Sequence, residues 1–145
     1  MTFFPNLYEA ILTGNSAQCC EQVKHLMAEG IDPVTLLESS MIPAMTEVGT
    51  RFSRCEYYVP ELLISARAMK AGLEILNPLL RQRKVEPTGR VVLGTVKGDL
   101  HDLGKGIVGT MLQGGGFEVT DLGADVPPER FVQAVADLHV VAYFR

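Results

Sequence analysis

The period of the apolar positions changes once along the chain. Over residues 1 to about 81 they recur at spacings of three and four, which gathers them on one side of an α-helix. From about residue 90 they fall into short runs divided by helical stretches, the alternation of strand with helix. In the first half, Pro5 suits a first helical turn, Leu7, Tyr8, Ile11 and Leu12 form an apolar stripe, and Gly14 ends it. Asn15 or Ser16 caps a second helix, with Cys20, Val23 and Met27 inward and Gly30 as its stop. Asp32-Pro33 predicts a third start, a capping carboxylate followed by proline at the first helical position. Leu36, Leu37, Met41, Ala44, Met45 and Val48 continue that helix, and Pro43, which lacks a backbone donor, predicts a kink in it. Pro60 opens a fourth helix marked by Val59, Leu62, Leu63, Ala66, Met69, Leu73, Leu76 and Leu80. Four helices with short connections predict a small antiparallel bundle over residues 1–82.

Residues 83–89 are polar, contain Pro87 and Gly89, and read as a linker. Beyond it, Val91, Val92, Leu93 and Val96 form a run of the kind found in buried parallel strands. The loop Lys97 to Gly104 follows, then a helix with Ile107, Val108, Met111 and Leu112 inward, stopped by Gly114-Gly115-Gly116. Phe117 to Leu122 predicts a second strand. Val126-Pro127-Pro128-Glu129 opens a helix through Phe131, Val132, Val135 and Ala136, and Val140 to Phe144 predicts a third strand. The fold class is therefore α + α/β: a four-helix bundle, then a doubly wound, flavodoxin-like parallel sheet over residues 90–145. Ligands of such sheets sit where strands end, which is where residues 99 to 104 fall.

Composition narrows the possibilities without naming a chemistry. The chain has 145 residues, 47% hydrophobic and 21% charged, the range of ordinary globular domains. A net charge of −4 gives no basic surface for nucleic acid or an anionic membrane. The first basic residue is Lys24, so the cationic start of a signal peptide is missing, and no apolar run is long enough to span a bilayer. Three cysteines, Cys19, Cys20 and Cys55, lack metal-type spacing and fit a reducing cytoplasm, and the neighbours Cys19 and Cys20 read as buried helix residues.

The candidate chemistry is concentrated in Asp99-x-His101-x-x-Gly104, directly after the first strand. An imidazole can bind a metal through one nitrogen while the other bonds to a carboxylate, and Asp99 is the candidate for that partner. Gly104 lets a large flat ligand approach the backbone. One imidazole is too few for a zinc site but suffices where a macrocycle supplies the remaining ligands. Asp102 reads as a helix cap, Lys97 and Lys105 as solvated lysines, and Met41, Met45 and Met69 as core filling. Gly114 to Gly116 is not a phosphate loop, since no Lys-Ser/Thr follows, and His25 and His139 take no role.

With these residues in view, the chain resembles the corrinoid proteins of cobalamin-dependent methyltransferase systems and is similar to the cobalamin-binding module of methionine synthase. The resemblance covers nearly the whole chain. It rests on Val91 to Val96, on Gly98-Asp99-Leu100-His101-Asp102-Leu103-Gly104-Lys105 and on Asp121-Leu122-Gly123-Ala124-Asp125-Val126-Pro127. In the first half it rests on Pro43-Ala44-Met45-Thr46-Glu47-Val48-Gly49 and on Val59-Pro60-Glu61-Leu62-Leu63 running into Ala66-Arg67-Ala68-Met69-Lys70. It implies cobalamin as cofactor (methylcobalamin or hydroxocobalamin), bound base-off with His101 as the lower ligand of cobalt. It implies that Asp99 accepts from the other imidazole nitrogen, and that Gly104 leaves room for the displaced nucleotide tail. Gly98, Asp125 and Tyr58 are further cofactor-binding residues by the same resemblance, Tyr58 from a bundle that caps the upper face.

The implied function is a methyl carrier that is not itself an enzyme. Its partners are a substrate-specific methyltransferase, a second methyl-accepting methyltransferase and a reductive activase. The alternatives are a cobalamin-dependent sensor, or a remnant with weakened cobalamin binding. Family members carry an S-x-L segment after the third strand and later a pair of glycines; here the serine position falls near Phe144 and the chain stops. The expectation is thus a chain truncated at its C-terminus, with a sheet limited to three strands and an exposed edge through which copies associate.

Overall fold

In the computed structural model, which describes residues 2–83, 86–101 and 103–138, Pro5 opens helix α1 (Pro5–Leu12). There its missing N–H removes no helical bond. Leu7, Ala10, Ile11 and Leu12 turn into the core. The helix stops at Gly14, whose φ of 74° brings its amide back to the Ile11 carbonyl at 3.0 Å. Asn15 then caps α2 (Ser16–Ala28), its side-chain oxygen accepting from the Gln18 amide at 3.0 Å.

Helix α3 (Pro33–Leu36) begins at Asp32-Pro33 as expected, but the Asp32 carboxylate makes no capping bond; it pairs with Arg83 instead. The run continues through a π-helical turn, Leu37–Met41, into α4 (Ile42–Ser53). The Ile42 amide donates to the Leu37 carbonyl five residues back, just before Pro43, which has no amide to donate. Where the sequence predicts a kink at Pro43, the structure shows a local widening of the helix ahead of it. The turn buries Ser39 and Ser40, and the Ser40 hydroxyl accepts from the Phe4 amide at 2.9 Å.

At the start of α5 (Val59–Gln82) the Glu61 carboxylate reaches back to the Tyr58 amide at 2.8 Å. Leu62, Ala66, Met69, Leu73, Leu76 and Leu80 are buried as the periodicity predicts, while Val59 stays exposed. Gly72 lets the neighbouring elements approach closely: a Cβ there would lie 2.8 Å from Met41 Cε and 2.9 Å from Cys19 Sγ. That space draws Cys19 inward, so the buried stripe of α2 is Cys19, Val23 and Leu26 rather than Cys20, Val23 and Met27. Burial pushes the Cys19 thiol up to about 12, which leaves it an inert packing group. The hydroxyls of Tyr57 and Ser65 both donate to the Leu12 carbonyl at 3.1 Å, closing the C-terminal end of α1. These helical runs make up the first of two compact units, Met1–Val85.

The second unit, Glu86–Arg145, is built on two parallel strands. β1 (Arg90–Leu93) pairs with β2 (Glu118–Asp121) in the register Arg90 to Glu118 through Leu93 to Asp121, and a bridge between Val96 and Val126 extends the pairing. α6 (Leu103–Gly114) joins them, and α7 (Pro128–Leu138) follows β2. A Cβ on Gly109 of α6 would lie 3.2 Å from Leu93 and 3.8 Å from Val119, whereas one on Gly94 would meet Phe131 of α7 at 2.7 Å. Successive strand residues point to opposite faces, so α6 and α7 cover opposite sides of the sheet, the doubly wound arrangement. Helical region followed by parallel sheet with helices is the fold class expected. The third strand, Val140 to Phe144, and the edge expected there lie outside the described residues.

Gly14→Ala should destabilise the first unit by about 1–3 kcal/mol, because an L side chain strains the left-handed backbone and its Cβ would fall 2.5 Å from Ile64 Cγ1. Urea unfolding followed at α-helical wavelengths measures this. An unchanged midpoint would show that the α1–α2 turn relaxes freely.

Candidate functional site at the strand ends

Parallel strands finish at the same edge of a sheet, so the segments leaving β1 and β2 are neighbours. The Thr95 amide donates to the Gly123 carbonyl at 2.9 Å, and the Val126 amide donates to the Thr95 carbonyl at 2.9 Å. On this platform the chain turns at Gly98, whose φ of 88° is readily reached only without a side chain, and the Asp99 amide closes the turn on the Val96 carbonyl at 3.0 Å. The Thr95 hydroxyl donates to the His101 carbonyl at 3.3 Å, holding the far end of the loop.

Asp99 and His101 are brought together as expected. One oxygen, Asp99 Oδ1, accepts from the His101 amide at 2.9 Å and lies 2.6 Å from His101 Nδ1. The His101 amide, and then its ring, hold the Asp99 carboxyl below the usual carboxylate range. With an ionised carboxylate as acceptor, a neutral imidazole here carries its proton on Nδ1 and leaves the Nε2 lone pair free. The ring itself is 98% exposed, so that lone pair faces outward. Among the described residues no group of three or more His, Cys, Asp or Glu side chains could hold a metal ion. This donor set suits a metal that brings its other ligands with it.

The surroundings fit a broad, flat group. A Cβ on Gly98, Gly104 or Gly123 would meet nothing within 4 Å among the described residues, so backbone borders open space at all three. Gly104 sits in the first turn of α6, as expected. Val96 and Leu100, on the same loop as His101, are 61% and 76% exposed, an apolar surface beside the imidazole. In the sequence Val96 reads as a strand residue and Leu100 as a loop position with no role of its own.

Two further residues have a place that sequence did not reveal. Asp125, with φ 54°, accepts from the Gly98 amide through Oδ1 at 2.8 Å and donates its own amide to the Asp99 carbonyl at 3.2 Å. Lys105 is not a solvated lysine: its side chain is only 10% exposed, and Nζ donates to Asp121 Oδ1 at 2.6 Å and to the Gly123 carbonyl at 3.0 Å. The same Asp121 oxygen accepts from the Gly123 amide at 2.9 Å. Lys105 first, and then that amide, lower the Asp121 carboxyl. Lys97 is exposed, as expected. Tyr58 belongs to the first unit, where it precedes α5 and is exposed. Asp102 lies outside the described residues.

A family model described as B12 binding domain matches residues 5–77, and another of the same description matches residues 89–143. The trimethylamine corrinoid protein of Methanosarcina barkeri is 40% identical over 132 residues, 90% of this chain and 61% of that protein. A corrinoid protein of Desulfitobacterium hafniense is 37% identical over 135 residues, 91% of this chain and 62% of its own length. The chain thus spans about three-fifths of the curated relatives it matches. Among solved structures, a methanol:cobalamin methyltransferase complex from Methanosarcina barkeri superposes with a TM-score of 0.80 at 29% identity, covering 92% of this chain and 52% of that one. A cobalamin-binding protein from Desulfitobacterium hafniense gives 0.69 at 33% identity, covering 92% and 63%. No helix among the described residues is long and apolar enough to cross a membrane.

The lowered Asp121 carboxyl makes the second unit sensitive to acid. Its pairing with Lys105 contributes stability above the unfolded carboxylate pKa of about 4, and that contribution is lost as pH falls through the lower folded value. Asp121 is about half exposed, so water screens the pair and the contribution is at most about 1 kcal/mol. Asp121→Asn should flatten the dependence of stability on pH between about 5 and 2. Parallel pH-dependent unfolding curves for variant and wild type would rule the pairing out as a source of stability.

Proposed function

Because the chain belongs to the B12-binding family, we propose that it holds cobalamin base-off, with His101 as the lower ligand of cobalt, and carries a methyl group between two methyltransferases. The observation that supports this most is the exposed His101 ring with Nδ1 anchored on Asp99 at 2.6 Å and Nε2 outward. When bound, the cofactor supplies a cobalt centre that takes up and gives up a methyl group. The chain's own residues bind and orient it. His101 provides the protein ligand, and Asp99 fixes the tautomer and direction of the ring. Gly98, Gly104 and Gly123 keep side chains away from the approaching group, while Val96 and Leu100 offer it an apolar flank.

The chain needs no catalytic residue of its own for this task. We assign the bond-making steps to a substrate-specific methyltransferase that loads the carrier and a second that unloads it, with a reductive activase as the third partner. The matched relative named as a trimethylamine corrinoid protein and the superposing methanol:cobalamin methyltransferase complex support partners of this class. The free cysteines Cys19, Cys20 and Cys55 suit a reducing, cytoplasmic setting.

Reconstitution with hydroxocobalamin tests the ligand. His101→Ala should change the visible spectrum and lose cofactor during gel filtration, with far-ultraviolet circular dichroism unchanged. Asp99→Asn should keep the ligand but weaken binding by about 10- to 100-fold, the usual effect of losing a partner to a metal-bound histidine. A His101→Ala protein with the wild-type spectrum would overturn the assignment.

A further inference from the structure

We propose that Asp125 is the positioning residue of the His101 loop, acting from the neighbouring strand end without touching the cofactor. This rests on the reading that His101 ligates cobalt. A single exposed imidazole on a loop is a poor ligand unless the loop is held still, since ordering it on binding would cost affinity. The loop is fastened at its ends by Thr95: its amide and carbonyl join the β2 side, and its hydroxyl bonds the His101 carbonyl. Between those ends, beyond the Val96–Val126 bridge, Asp125 adds two bonds to the loop from the β2 side.

Its carboxylate accepts from the Gly98 amide at 2.8 Å, and its amide donates to the Asp99 carbonyl at 3.2 Å. One residue thus grips the loop on both sides of the Gly98–Asp99 peptide. The first bond holds the turn in which Gly98 has φ 88°; the second fixes the backbone of the residue that carries the imidazole's carboxylate partner. Asp125 reaches both groups from a left-handed backbone at φ 54°, a conformation that Asp and Asn tolerate better than other non-glycine residues. A carboxylate so engaged has its oxygen aimed at the loop and acts through His101, not on the bound group.

The left-handed backbone provides matched variants. Asp125→Gly keeps that conformation and the amide bond to Asp99 but removes the carboxylate; Asp125→Asn keeps an acceptor oxygen. In the cofactor-free protein, Asp125→Gly should speed hydrogen exchange of the Gly98 amide and shift the His101 ring resonances, while Asp125→Asn stays near wild type. After loading with hydroxocobalamin, Asp125→Gly should bind about 10- to 100-fold more weakly, with a larger share of protein whose spectrum lacks histidine ligation, and Asp125→Asn should bind within a few-fold of wild type. Two results would overturn the proposal. One is Gly98 exchange unchanged in Asp125→Gly while affinity falls, which would make Asp125 a direct contact of the cofactor. The other is unchanged affinity and spectrum in Asp125→Gly. His101→Ala, measured alongside, separates the cases: a wild-type spectrum there defeats the ligand assignment itself, whatever Asp125 does.

Discussion

Parallel pairing of Arg90–Leu93 with Glu118–Asp121 is the constraint from which the site follows. It sends both chain segments out at one edge, and the Val96–Val126 bridge carries the pairing past the strands so that two loops run side by side. A ligand-bearing loop there can be held by partners 16 and 27 residues away: the start of α6 by Asp121 through Lys105, and Gly98 by Asp125. Without the register, Asp125 would have no loop to grip and Asp99 no fixed backbone from which to hold the imidazole.

The two units keep order by different means. In the first, large apolar side chains are fully buried, among them Leu7, Ile11, Leu36, Met41, Met69 and Leu76. In the second, Val126 is the buried large apolar side chain among the described residues, and α7 buries none. Among the described residues, hydrogen bonds therefore hold the site more than packing does. Each such bond contributes only about 0.5–1.5 kcal/mol net, so one can be removed without unfolding the domain. That is why variants at the loop should report on ligand geometry while the bundle stays intact.

What could be read from the chain follows how far each signal reaches. The helix starts at Pro5, Asn15 and Pro60 and the Asp99–His101 pair depend on residues a few positions apart, and all four are seen. Asp32 departs because its carboxylate finds Arg83, far along the chain, in place of the local cap. The face of α2 is turned because Gly72, on another helix, leaves room for Cys19. Lys105 reads as solvated until the β1–β2 register brings Asp121 beside it. Asp125 was marked only through resemblance, as a cofactor contact; its bond to Gly98 depends on the positive φ of both residues, which no local pattern of residue types announces.

We propose that one side chain of this protein, His101, ligates the metal. The most direct test is electron paramagnetic resonance of the loaded protein reduced to the cobalt(II) state, prepared with histidine labelled with nitrogen-15 in the ring. Ligation by His101 predicts that the nitrogen splitting of the cobalt lines changes from the three-line pattern of nitrogen-14 to the two-line pattern of nitrogen-15, and that His101→Ala abolishes the change. A nitrogen splitting that ignores the label would place another ligand on cobalt and contradict the account.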